Sequence, residues 1–138
     1  MTLLAAVTAI LVGNLAPKAI PASVLAPAII KAAQNHDVDP KLLARIVIVE
    51  SKGLPTAFNA ETGDHGLVQI NSKTAALYNI SSSCLNNWRC NLDAAALILS
   101  DLMQMKNARA CLYNLGPKGR FVKYAAACNR YESKLAAL

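Results

Sequence analysis

The feature that most constrains this 138-residue chain is the stretch from Asp39-Pro40 to Glu50, closed by Gly53 and Pro55. Aspartate accepts the first free amides of a helix, and proline at the first helical position has no amide to leave unbonded. Leu42, Leu43, Ile46, Val47 and Val49 then recur at helical intervals, and Gly53 and Pro55 stop the run. The fold must therefore hold a helix with a broad apolar face. Glu50 lies on that face, four residues after Ile46 and seven after Leu43. Desolvation and the negative end of the helix dipole both disfavour its ionised form, so its pKa is expected to rise. A carboxyl kept protonated near neutrality can protonate a poor leaving group such as a glycosidic oxygen. The plainer alternative is a helix-end glutamate paired with Arg45, Lys52 or another base.

The rest of the chain reads as nearly all α. Hydrophobic residues make up 54%, but only one Trp, four Tyr and two Phe are among them, which favours packed helices over stacked strands. Residues 22–35 form an Ala- and Ile-rich helical stretch with Pro27 either in its first turn or kinking it. Leu92, Ala95, Ala96, Leu99, Leu102 and Met103 mark a central helix with Asp93 expected in its first turn. Residues 108–115 predict a shorter helix ending at Gly116-Pro117, and Phe121, Tyr124, Ala125, Cys128 and Tyr131 trace a last one. Between them, residues 58–71 carry Asn59, Thr62, Gly63, Asp64 and Gly66 around Leu67-Val68-Gln69-Ile70, a folded loop or small strand pair. Residues 1–21 stand apart as an N-terminal segment whose apolar, uncharged stretch, Leu3 to Val12, is too short to span a bilayer and has no Lys or Arg ahead of it. It reads as signal-like, membrane-seeking or simply a packing helix, with one domain following over residues 22–138.

The net charge of +6 favours an anionic partner, but the basic residues are single charges spread from Lys18 to Lys134. A dedicated nucleic-acid surface is not expected. Cys84, Cys90, Cys111 and Cys128 have neither CxxC spacing nor histidine partners, since His36 and His65 are far apart, so no metal site is expected. Two disulfides in an oxidising compartment are the preferred reading, with free buried thiols as the alternative. Cys111 and Cys128 fall on consecutive helices that can meet, and Cys84 with Cys90 would close a small loop. Sequence leaves all three pairings open.

Glu50-Ser51, Asn59-Ala60, Thr62-Gly63, Gly66-Leu67-Val68-Gln69-Ile70 and Tyr113-Asn114 with Gly116 together resemble the lytic transglycosylases of the goose-type-lysozyme-like class, in particular the small ones associated with secretion systems, conjugation and phage entry. The similarity runs from about Ala22 to Leu135. It implies a lysozyme-like helical domain with a small loop or β element lining the cleft, and peptidoglycan glycan strands as substrate. The family's catalytic glutamate falls on Glu50 and the following serine on Ser51. Its Gly-Leu-Met-Gln cleft segment falls on Gly66 to Gln69, with Val68 in place of Met. Ser51, Gln69 and Asn71 are then expected to bind sugar, as are Tyr113, Asn114 and Tyr131. A further family tyrosine best matches Tyr131, although Glu132 replaces the usual Val after it, and Tyr124 competes for the role.

The resemblance implies that Glu50 protonates the bond between N-acetylmuramic acid and N-acetylglucosamine, then takes the proton of the muramoyl C6 hydroxyl to leave a 1,6-anhydro end. It needs no cofactor and no metal. It also implies a monomer exported to the periplasm or cell envelope, or carried by a phage particle, with the N-terminal segment as a route to membrane association. Three alternatives stand beside it. One is a goose-type-like muramidase that uses Glu61 or Asp64 with water; another is a non-catalytic peptidoglycan-binding component of a virion or secretion apparatus. The third is a basic helical protein that acts on membranes or nucleic acid.

Overall fold

A computed structural model describes residues 1–138. Eight α-helices run in the order α1 Leu3–Leu11, α2 Ala22–Asn35, α3 Pro40–Ser51, α4 Ser72–Leu77, α5 Ser82–Leu85, α6 Trp88–Met103, α7 Leu112–Leu115 and α8 Ala125–Ala136. Three two-residue strands, β1 Phe58–Asn59, β2 Asp64–His65 and β3 Ile70–Asn71, lie between α3 and α4. They form an antiparallel sheet in sequence order, with Asn59 opposite Asp64 and Asp64 opposite Asn71. The architecture is mainly α and lysozyme-like, and the expected strand pair has a third member.

The helix ends follow the residues that cap them. Asp39 accepts a hydrogen bond from the Lys41 amide at 2.9 Å with Pro40 at the first helical position, and α3 stops at Lys52 in the left-handed region (φ 54°). Gly53 follows at φ 82°, where a Cβ would sit 2.5 Å from Leu15. Pro27 lies in the second turn of α2, costing the helix one bond to the Ser23 carbonyl without ending it. One continuous apolar core runs from Val7, Ile10 and Leu11 of α1 to Tyr131 and Leu135 of α8. α3 packs against α1, α2 and α8, while α6 packs against α2, α5 and α7.

The N-terminal segment joins this core. Residues 14–20 run along the end of α3, where the Ala16 amide donates to the Lys52 carbonyl at 3.0 Å and the Ile20 amide to the Gly53 carbonyl at 3.1 Å. No helix is long and apolar enough to cross a membrane.

Three expectations need correction. α6 starts at Trp88, capped by Asn87, so Asp93 lies in its second turn, where it meets His36 at 3.0 Å instead of the helix dipole. Residues 108–111 lie outside any helix, leaving α7 only four residues long. Arg109 is drawn aside to Glu132 at 2.6 Å and Asn129 at 2.9 Å, and Asn107 takes a positive φ of 59°. Phe121 and Tyr124 precede α8: Phe121, exposed, lies between two 3-10 turns, Pro117–Arg120 and Val122–Tyr124, and Tyr124 ends the second. Cys84 is bonded to Cys90 and Cys111 to Cys128.

Candidate active site

α3 delivers Glu50 half-buried to the floor of a cleft whose cavity measures about 430 Å³. The sheet and its connecting turns supply Thr62, Asp64, Gln69 and Asn71 to the cleft, and α6 and α7 supply Ile98, Leu102, Tyr113 and Asn114. Neither Arg45 nor Lys52 pairs with Glu50; Arg109 pairs with Glu132, and His36 shares a hydrogen bond with Asp93. Burial, reinforced by the charge of Asp64, raises the Glu50 pKa to about 7 against the opposing hydrogen bond from Tyr131 and the charge of Lys134.

Tyr131 donates its phenol hydrogen to Glu50 Oε2 at 2.8 Å. The ring is buried, and burial together with the adjoining carboxylate pushes its pKa far above the ordinary phenol range. It therefore stays a proton-bearing donor and leaves Oε1 of Glu50 free for the cleft. Tyr124 has no such contact; its ring lies beneath Lys118, 5.3 Å from its centroid.

The other sequence-predicted residues divide by what their polar atoms already do. Tyr113, which borders the cleft, donates to the Val68 carbonyl at 2.7 Å, so its phenol holds the 66–69 segment. Gln69, in the left-handed region at φ 53°, spends both hydrogens of Nε2 on the Ala57 and Gly66 carbonyls at 3.0 Å. Only its carbonyl oxygen is open to a ligand, as an acceptor. Asn71 caps α4 through the Lys73 amide at 2.9 Å and donates to the Thr62 carbonyl at 2.7 Å, so it mainly braces the sheet. Ser51 lies outside the cleft: it is buried, donates to the Val47 carbonyl and accepts from the Gly53 amide. It closes α3 where contact with sugar was expected. Asn114 is exposed at the cleft rim, and its side-chain amide makes no hydrogen bond within the protein.

Asp64, considered in the sequence only as an alternative carboxylate, shares the cleft with Glu50 and accepts a 2.8 Å bond from Thr62. Asn91 was missed altogether. Fully buried on α6, it accepts from the Val68 amide at 2.9 Å and donates to the His65 and Leu85 carbonyls at 3.0 and 3.1 Å. It thereby fastens the sheet to the helical body, and a polar residue on an otherwise apolar helical stripe was the signal for it. Gly66 touches the same amide: at φ 81°, a Cβ there would lie 2.4 Å from Asn91 Nδ2 and 2.8 Å from the Leu85 carbonyl. Cys111, Cys128 and Glu132 approach one another closely enough to hold an ion. Their sulfurs are joined to each other, however, and Glu132 is engaged by Arg109.

The site thus combines one raised carboxyl, a phenol fixed on it and a sheet-walled groove, an arrangement suited to delivering a proton to a bound polymer. No curated protein and no solved structure is significantly similar to the chain. The family model described as Transglycosylase SLT domain matches residues 27–133, a span that includes Glu50, the sheet and the Tyr131 that touches it. By that match the chain belongs to the SLT transglycosylase-domain family, the lysozyme-like lytic transglycosylases of peptidoglycan.

Proposed function

We propose that the protein cleaves the β-1,4 bond between N-acetylmuramic acid and N-acetylglucosamine and leaves a 1,6-anhydromuramoyl end, with Glu50 as both acid and base. The observation that carries this reading is the Glu50 carboxyl itself, raised to about 7 in a cleft and held through one oxygen by Tyr131. Protonated, it gives its hydrogen to the glycosidic oxygen as that bond breaks. The carboxylate then accepts the proton of the muramoyl C6 hydroxyl, whose oxygen closes on the anomeric carbon. Glu50 regains the proton it donated, so the cycle is balanced without water. Tyr131 bonds to Oε2 in both protonation states and stabilises the charge that forms after the first step.

In this reading Gln69 accepts from a sugar hydroxyl or acetamido N–H through its free oxygen, and Asn114 offers its unpaired amide at the rim. Asn71 and Tyr113 act by shaping the walls, and Ser51 by closing α3. The substrate lies outside the cytoplasm, and two disulfides fit an exported protein. We extend this to a monomer in the periplasm, the envelope or a phage particle, working on glycan with no part for nucleic acid.

Hydrolysis is the second reading, favoured by Asp64 on the same cleft, where it could hold a water for attack. The sugar ends released from purified sacculi separate the two. Anhydromuramoyl ends support the lytic route, whereas reducing ends alone would overturn it in favour of hydrolysis.

A further inference from the structure

Arg130 and Lys134 are exposed on α8, and neither belongs to an ion pair. With Ala127 and Tyr131 they follow the spacing i, i+3, i+4, i+7, which gathers them on one helical face. Together with Asn114 and Glu50, that face lines a second, polar cavity of about 260 Å³. Glu50 and Asn114 border both this cavity and the main cleft, so the reacting carboxyl stands at their junction.

A neutral sugar ring has no use for two unpaired cations. Lys134 moreover favours the ionised form of Glu50, the opposite of what a proton donor requires. An anion bound between Arg130 and Lys134 removes that conflict, since it neutralises the cations when substrate arrives. A guanidinium and an ammonium one helical turn apart suit a carboxylate well.

We propose that this cavity is a carboxylate-binding subsite for the acidic peptide stem carried by the muramoyl residue next to the scissile bond. The inference rests on the peptidoglycan reading above and adds a specificity to it: strands that keep their stems are better substrates than strands stripped of them.

The test measures kcat and KM of the full-length protein on glycan strands of matched length, either stem-bearing or stripped by an amidase and then capped as a methylamide at the lactyl carboxylate that stripping frees. Wild type is compared with Arg130→Gln, Lys134→Gln and the double variant. Binding of both strands to Glu50→Gln, with and without the two substitutions, is read in parallel. Wild type is expected to prefer stem-bearing strands about ten-fold, mainly through KM, as one charge-assisted contact would supply. In the double variant that ratio falls towards one, and in wild type it shrinks with added salt. An unchanged ratio in the double variant overturns the subsite and leaves the lytic reading standing. If wild type cleaves neither strand, the lytic reading falls instead, and the binding ratios still decide whether the cavity takes the stem.

Discussion

At the scale of single residues, the site turns on a carboxyl whose pKa is raised to about 7, chiefly by burial. The proton-donating form is present below that value and is lost above it, so kcat/KM is expected to fall as pH rises through 7. Tyr131 bonds to the carboxylate and opposes the rise. Tyr131→Phe should therefore move that limb to higher pH while lowering kcat, by roughly ten-fold for one lost charge-assisted bond. A pH–rate profile of both proteins checks the direction. The same burial costs stability. Because the folded-state pKa lies above the unfolded value of 4.5, the folded protein holds the extra proton between 4.5 and 7, and stability declines as pH rises through that window. Glu50→Gln carries no charge and can still accept from Tyr131. It should melt like wild type at pH 4 and be more stable at pH 8, by on the order of 1–3 kcal/mol. Calorimetry at the two pH values reads the difference.

At the scale of elements, the cleft depends on how a six-residue sheet is fastened to a helical bundle. Asn91 provides three hydrogen bonds for that, from a position with no access to water. Asn91→Leu should cost about 2–4 kcal/mol, since it strands the Val68 amide and two carbonyls. Gly66→Ala strikes the same joint from the other side and adds left-handed strain. Urea titration measures both losses, and hydrogen exchange at Val68 shows whether the sheet detaches before the bundle unfolds. α3 and its register were legible because capping, periodicity and stop signals agree within one helix. The sheet was legible only as a loop with some pairing, since two-residue strands carry no period. α7 was misjudged because Arg109 serves a contact with Glu132 that local pattern does not encode, and the 3-10 turns because a proline at a first turn position opens a tight turn as readily as it marks a helix end.

At the scale of the molecule, contacts far apart in sequence complete the site. Tyr131 reaches Glu50 across 81 positions. The family resemblance placed that tyrosine near the cleft, but helical periodicity alone ranked it level with Tyr124. Residues 1–21 offered a similar ambiguity. In the fold, Leu15 covers Gly53 at the end of α3, and Val7 and Leu11 are fully buried. Leu11→Ala is accordingly predicted to destabilise the whole protein by about 2–4 kcal/mol. A melting curve unchanged by that substitution would mark the segment as an appendage. The charge of Glu50 and the path of the strand past it unite these scales. Their most direct test is the release of anhydro-ended muropeptides from purified sacculi by wild type and Glu50→Gln, with folding of both verified by circular dichroism. Abundant anhydro ends from wild type and a loss of at least about a thousand-fold in Glu50→Gln are predicted, as expected when the acid and the base are one group. Equal release by the two proteins would contradict the account.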